Sequence, residues 1–260
     1  MSILQRILTQ KEKEVAELLG QTFNQQVIKT ITPFKEMIKH KDNIGIIAEI
    51  KRASPSKGDI QQNVNPAEQA KKYEEFGASA ISVLTDRYFF NGSMEDLQAV
   101  RKAVDLPILC KDFIIHPAQI DRAKTAGANI ILLIVAALSE ERLIQLYNHC
   151  KKLKLEVLCE VHNEAEMNIA IKHGFEIIGI NNRDLNTFNV DLKTTNRLAA
   201  QVKHPETVLV SESGIKSGAD AASVRDAGAD AVLVGETLMV SSDLNKTFQM
   251  LEAKKIKKEV

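Results

Sequence analysis

Glu49 and Lys51 stand two residues apart at the end of an otherwise apolar run, within the stretch I-A-E-I-K-R-A-S-P-S-K-G from Ile47 to Gly58. Side chains two apart on a strand share a face. If Ile44 to Lys51 is a buried parallel strand, Ile50 points one way and the Glu49/Lys51 pair the other, into whatever space the strand ends enclose. A carboxylate and an ammonium delivered together to such a space suit acid/base chemistry. The alternative is a structural ion pair at a strand terminus.

Other apolar runs end in the same way. Lys111, Glu160, Asn181 with Arg183, and Glu212 with Ser213 each follow a short Ile/Val/Leu-rich segment. Six ionisable groups, three acidic and three basic, would be costly to enclose together unless paired or used. A fold that brings all these ends to one place is therefore required.

The apolar runs supply it. They lie at 44 to 50, 79 to 84, 106 to 110, 129 to 135, 155 to 159, 175 to 180, 207 to 211 and 230 to 234. Each is followed by a segment of helical composition, the pattern of buried parallel strands alternating with crossover helices. Gly77, Gly127, Gly174 and Gly228 sit just before the second, fourth, sixth and eighth runs and read as helix C-caps. Eight such units point to an α/β fold, a (β/α)8 TIM barrel, in which chemistry sits at the C-terminal strand ends. A doubly wound open sheet would be expected to carry G-x-G-x-x-G after its first strand, and none is present there.

Residues 1 to 43 precede the repeat. Ile3, Leu4, Ile7 and Leu8, then Val15, Leu18 and Leu19, recur at helical spacing, and Pro33 behind Thr32 marks a second helix start. This segment is expected to be a helical extension of a single domain whose barrel is 44 to 260. Whether it caps the bottom or helps close the top is not fixed by periodicity. After the last two strands, Ser213-Gly214-Ile215 and Gly235-Glu236-Thr237 supply glycine turns and a short helix start, an arrangement whose free N–H groups suit a phosphate. Tight turns alone would also account for those glycines.

Composition narrows the partners. Lys+Arg and Asp+Glu both number 34, so no net field draws nucleic acid or an acidic membrane. The longest apolar run, Ile130 to Leu138, is too short to span a bilayer, and the N-terminus lacks signal-peptide features, so a cytoplasmic location is expected. Cys110, Cys150 and Cys159 have no CxxC spacing and read as buried small hydrophobes. The six histidines, His162 among them, show no H-x-x-x-H or H-E-x-x-H pattern, so no metal site is expected. Phe89 and Phe90, after the second strand, suit either a substrate ring or loop packing.

As an ordered set, the motifs A-E-I-K-R-A-S-P-S-K-G, S-V-L-T-D-x-x-F-F-N-G-S, C-K-D-F-I-I, L-C-E-V-H, I-G-I-N-N-R-D-L, V-S-E-S-G-I and V-L-V-G-E-T-L-M closely resemble the indole-3-glycerol-phosphate synthase family. The resemblance covers the whole chain. It implies a cofactor-free lyase of tryptophan biosynthesis that closes the ring of 1-(2-carboxyphenylamino)-1-deoxyribulose 5-phosphate with loss of carbon dioxide and water. Position by position it implies Lys111 as general acid and Glu160 as proton-handling carboxylate, with Glu49, Lys51, Asn181 and Glu212 beside them. It assigns Arg183, Ser213, Ser54, Phe90, Phe113, Leu132 and Leu185 to the substrate pocket, and Gly214, Gly235 and Glu236 to the phosphate with Lys51 in reach. Many relatives carry serine where Glu236 stands, so only its N–H is carried over and its side chain is expected to point away from the phosphate. The dehydration acid stays open between Lys51 and Lys111, and the base between Glu49 and Glu160. A monomer is expected, and association with other tryptophan-pathway enzymes stays open. The remaining alternatives are another phosphate-binding barrel, such as phosphoribosylanthranilate isomerase, and a silent barrel serving as a scaffold.

Overall fold

Each of the eight apolar runs forms a parallel strand of one closed barrel in the computed structural model, which describes residues 2–23, 30–55, 57–185 and 187–255. The strands are β1 (Gly45–Ile50), β2 (Ala80–Leu84), β3 (Ile108–Lys111), β4 (Ile130–Ile134), β5 (Glu156–Val161), β6 (Ile177–Asn181), β7 (Val208–Glu212) and β8 (Ala231–Val234). Neighbours in sequence are neighbours in the barrel, and β1 closes it by pairing with β8. The expected TIM barrel is thus the observed one. Ser56 of the A-S-P-S-K-G motif and residues 1 and 24–29 of the expected extension lie outside the described residues.

Alternation along the strands separates two apolar layers. Ile46, Ala48 and Ile50 of β1 face the surrounding helices, whereas Ile47 joins Leu109, Leu132, Leu158, Val210 and Leu233 inside the barrel. Gly77, Gly127, Gly174 and Gly228 all have positive φ, between 65° and 109°, as their place at helix ends requires. Cys110, Cys150 and Cys159 are buried.

The extension covers both ends of the barrel. Helix α2 (Phe34–Lys39) inserts Phe34 and Ile38 into the interior cluster from the N-terminal end. Its first N–H groups, on Phe34 and Lys35, donate to the two oxygens of Glu156 at 2.7 and 2.8 Å, so the first side chain of β5 caps this helix. Gly45 makes room for it, since a Cβ there would overlap Ile38. Helix α1 (Ile3–Leu18) lies at the opposite end. It begins with a capping box in which Ser2 and Gln5 satisfy each other's backbone N–H groups.

The stripe that α1 buries is Ile7, Lys11, Val15 and Leu18, so a lysine sits in the middle of an apolar face. Lys11 is fully buried and lies 2.8 Å from each of Glu14, Asp86 and Asp112. Burial works against its charge, but Asp112 and Asp86 hold its pKa above the ordinary lysine value. Asp86 also caps the short helix Arg87–Phe90, and Asp112 also accepts from Thr85 Oγ1 at 2.7 Å. One ammonium therefore fixes α1 to the ends of β2 and β3. Lys11→Met should leave two buried aspartates without their cation and lower the free energy of unfolding by about 3–5 kcal/mol. Urea unfolding followed by far-ultraviolet circular dichroism measures this; a loss below about 1 kcal/mol would mean that the ion cluster does not secure the helix.

Candidate active site

A cavity of about 990 Å³ opens at the C-terminal end of the barrel. Every site residue named from the sequence lines it: Glu49, Lys51, Ser54, Phe90, Lys111, Phe113, Leu132, Glu160, Asn181, Arg183, Leu185, Glu212, Ser213, Gly214, Gly235 and Glu236. Glu49, Glu160 and Glu212 point inward from β1, β5 and β7 because each falls on the interior phase of its strand. Lys111 ends β3 and reaches across the barrel to meet them.

Lys111 Nζ lies 2.6 Å from Glu212 Oε2, 3.7 Å from Glu49 Oε2 and 3.9 Å from Glu160 Oε2. Burial disfavours the ammonium, but these three carboxylates hold its pKa well above the usual lysine value. Lys51 lies 2.8 Å from Glu49 Oε1. Burial raises Glu49, yet Lys51 and Lys111 bring it below the ordinary carboxylate value. Burial also raises Glu160, and His162, Lys111 and Asn181 together reverse this and hold it at about 2. Glu212 behaves differently. Burial, reinforced by Glu160 and Glu49, outweighs Lys111 and pushes it up to about 7.

Two glycines provide the space. A Cβ at Gly179 would overlap Glu212 Oε1, and one at Gly235 would overlap Glu49 Oε1 and crowd Lys51. At the far side, Ser213 and Gly214 are both left-handed, with φ of 66° and 89°. For serine that conformation costs on the order of 1 kcal/mol or more. Thr237 Oγ1 donates to Ile215 O at 2.7 Å and joins this turn to the one after β8, where Gly235 starts the helix Glu236–Met239. The carboxylate of Glu236 pairs with Lys57 at 3.3 Å. The opposite wall is apolar. Phe90 and Phe113 have ring centroids 6.0 Å apart, and Leu132, Ile134, Leu185 and Ile7 complete it.

Three contributors escaped the sequence reading. Ile3, Leu4 and Ile7 bring α1 into the cavity wall. Asn182 is buried and donates to Ser211 Oγ, Glu212 O and Ser213 O, which pins the end of β6 to the strained turn after β7. His162 stands behind Glu160, Nε2 to Oε1 3.3 Å. Its sequence signals were its place two residues after a strand-end glutamate and its position closing the L-C-E-V-H motif.

A closed parallel barrel with charged groups gathered at its C-terminal strand ends defines the class of (β/α)8-barrel enzymes. The comparisons specify it further. The family model for indole-3-glycerol phosphate synthase matches residues 4–251. Proteins named indole-3-glycerol phosphate synthase from Oceanobacillus iheyensis and Bacillus cereus are each 49% identical, the first over all of both chains, the second over 95% of this chain and 97% of its own. The chain belongs to the indole-3-glycerol phosphate synthase family. Solved structures of a thiamine phosphate pyrophosphorylase from Pyrococcus furiosus and an N-acetylmannosamine-6-phosphate 2-epimerase from Clostridium perfringens share the fold. Their TM-scores are 0.58 and 0.60, at 17% and 14% identity, and they cover 80% and 86% of this chain and 93% and 98% of their own.

Glu212 binds a proton more readily in the folded chain than a free glutamate does, so the fold loses stability as pH rises from the ordinary value near 4.3 to about 7. Glu212→Gln, which cannot ionise, should match wild type near pH 4 and exceed it by on the order of 1–3 kcal/mol near pH 8. Urea unfolding at the two pH values measures the difference, and a gap that does not widen with pH would show that Glu212 ionises normally.

Proposed function

We propose that the cavity converts 1-(2-carboxyphenylamino)-1-deoxyribulose 5-phosphate to indole-3-glycerol phosphate, with Lys111 as the acid of ring closure. The observation that carries this is the Lys111 ammonium held among three buried carboxylates at the cavity floor. When the substituted ring carbon attacks the ribulose carbonyl, negative charge collects on the carbonyl oxygen. A fixed ammonium stabilises that charge and can neutralise it by proton transfer, because the developing alkoxide is far more basic than the amine or the carboxylates around it. Release of carbon dioxide restores the aromatic ring. Loss of water then requires one group to protonate the hydroxyl and another to take a proton from the adjacent carbon.

Glu160 is assigned to that second task. It is buried, ionised and bonded to the Asn181 amide, and its orientation is therefore fixed. Lys51 stands beside both Glu49 and Gly235, which suits a phosphate contact and leaves dehydration to Lys111 or to Lys51 itself. The phosphate is assigned to Gly214, Gly235 and the N–H of Glu236, with the strained Ser213 turn and Arg183 at its border. The Glu236 carboxylate, drawn aside by Lys57, leaves that N–H accessible. Phe90, Phe113, Leu132 and Leu185 form the apolar wall for the aromatic ring, and Ser54, on a short strand Ala53–Ser54 paired with Gly58–Asp59, also lines the cavity. No metal or organic cofactor enters this scheme. The reading takes the enzyme to be a cytoplasmic monomer.

Incubating the protein with this substrate and following indole fluorescence tests the activity directly, since the chain has no tryptophan. Lys111→Ala should reduce kcat by ~10²–10⁴ with the fold retained. A variant that keeps more than about a third of wild-type turnover, far outside that range, would remove the lysine from the acid's role. Inorganic phosphate should compete with substrate, raising the apparent KM without changing kcat. Kinetics insensitive to phosphate would refute the proposed anion site.

A further inference from the structure

The floor of the cavity holds three carboxylates, on Glu49, Glu160 and Glu212, against two ammonium groups, on Lys51 and Lys111. With every group ionised one negative charge is left over, and an uncompensated buried charge is expensive. His162 lies just behind this floor. Its Nε2 is 3.3 Å from Glu160 Oε1, while Lys111 approaches the other oxygen, Oε2. Its Nδ1 is 3.0 Å from Glu166 Oε2.

The imidazole is thus enclosed between two carboxylates, one at each nitrogen. A neutral ring carries a single N–H and would have to present a bare lone pair to one of them; an imidazolium turns an N–H towards each. Nε2 is buried and makes no hydrogen bond, so the Glu160 carboxylate 3.3 Å away is the charge it faces. Glu166 is itself held in place, accepting from the His162 backbone N–H at 2.8 Å and from Asn163 Nδ2 at 2.6 Å. The ring therefore cannot easily turn away from Glu160.

We propose that His162 is a positioning residue that, as an imidazolium fixed by Glu166, supplies the charge keeping Glu160 ionised and aimed to accept a proton. This rests on the proton-handling role assigned to Glu160 above. The charged groups acting on His162 are Glu160 from β5 and Glu166 from the helix Glu164–Lys172. Those facing Glu160 are Lys111 from β3, Glu49 from β1 and Glu212 from β7, with the Asn181 amide from β6. Burial lowers the affinity of His162 for its proton, and the two glutamates reverse this and raise its pKa to about 10. The proton should consequently stay on the ring throughout the neutral range and leave only in alkali.

Removing the imidazolium makes the carboxylate cluster more negative, so the cluster takes up its first proton at higher pH, whichever carboxylate receives it. His162→Gln should move the acid limb of the kcat/KM profile upward by about 1 pH unit or more, with activity recovering as pH is raised. An acid limb that superimposes on wild type, or a loss equal at all pH values, overturns the proposal. Nitrogen-15 NMR of the wild-type ring gives a second reading that does not depend on the variant folding. Both ring nitrogens should be protonated near pH 8, and a ring that titrates near its ordinary 6.5 overturns the proposal. Glu160→Gln separates this inference from the one beneath it. Turnover preserved in that variant refutes the role of Glu160, whereas a loss of ~10² or more beside an unshifted His162→Gln profile refutes only the role of His162.

Discussion

Enclosing three carboxylates on one barrel rim is the constraint around which this protein is arranged. Lys111 is the cation they share, and its reach from β3 to the carboxylates of β1, β5 and β7 sets the floor of the cavity. Space is as necessary as charge. Gly179 and Gly235 give up their side chains so that Glu212 and Glu49 can lie where they do. The charge is unevenly shared, with Glu160 held ionised while Glu212 sits near neutrality in its readiness to take a proton. Carboxylates of one kind acquire different chemistry here through their neighbours.

The two N-terminal helices contribute differently to this arrangement. Phe34 and Ile38 of α2 fill the closed end of the barrel and support the layer of side chains beneath Lys111. Helix α1 belongs to the open end, where Lys11 ties it to Asp86 and Asp112. Those aspartates adjoin residues that line the cavity, for Asp86 caps the turn carrying Phe90 and Asp112 follows Lys111 directly. The apolar wall and Lys111 thus share one buried anchor.

The barrel was legible in the sequence because eight short apolar runs with glycine punctuation leave few other folds, and the charged cluster of the candidate site was legible because charge at the end of an apolar strand is anomalous. Glu49, Lys51, Lys111, Glu160 and Glu212 all gave that signal. Lys11 did not. It lies in Q-K-E-K-E, where a lysine looks solvent-exposed, and only its register between Ile7 and Val15 marks it as buried. His162 falls past the strand end and has no metal-ligand spacing, while Asn182 acts through backbone carbonyls of a strand it does not belong to. Such roles come from tertiary neighbours, which local patterns do not encode. The placement of α1 and α2 at opposite ends escaped for the same reason, since both are amphipathic and periodicity does not say which surface they cover.

Glu156 caps α2 from the start of β5, more than a hundred residues further along the chain. Ribosomal synthesis delivers the N-terminal end first, so α2 leaves the ribosome long before the strand that receives it exists. Closing so long a loop carries an entropic cost that local contacts do not, and α2 gains little from docking until the barrel around it is nearly complete. A segment made early is thereby committed to being seated late. In the interval Phe34 and Ile38 have no barrel interior to enter, and the nascent chain must keep them from other partners until β5 emerges.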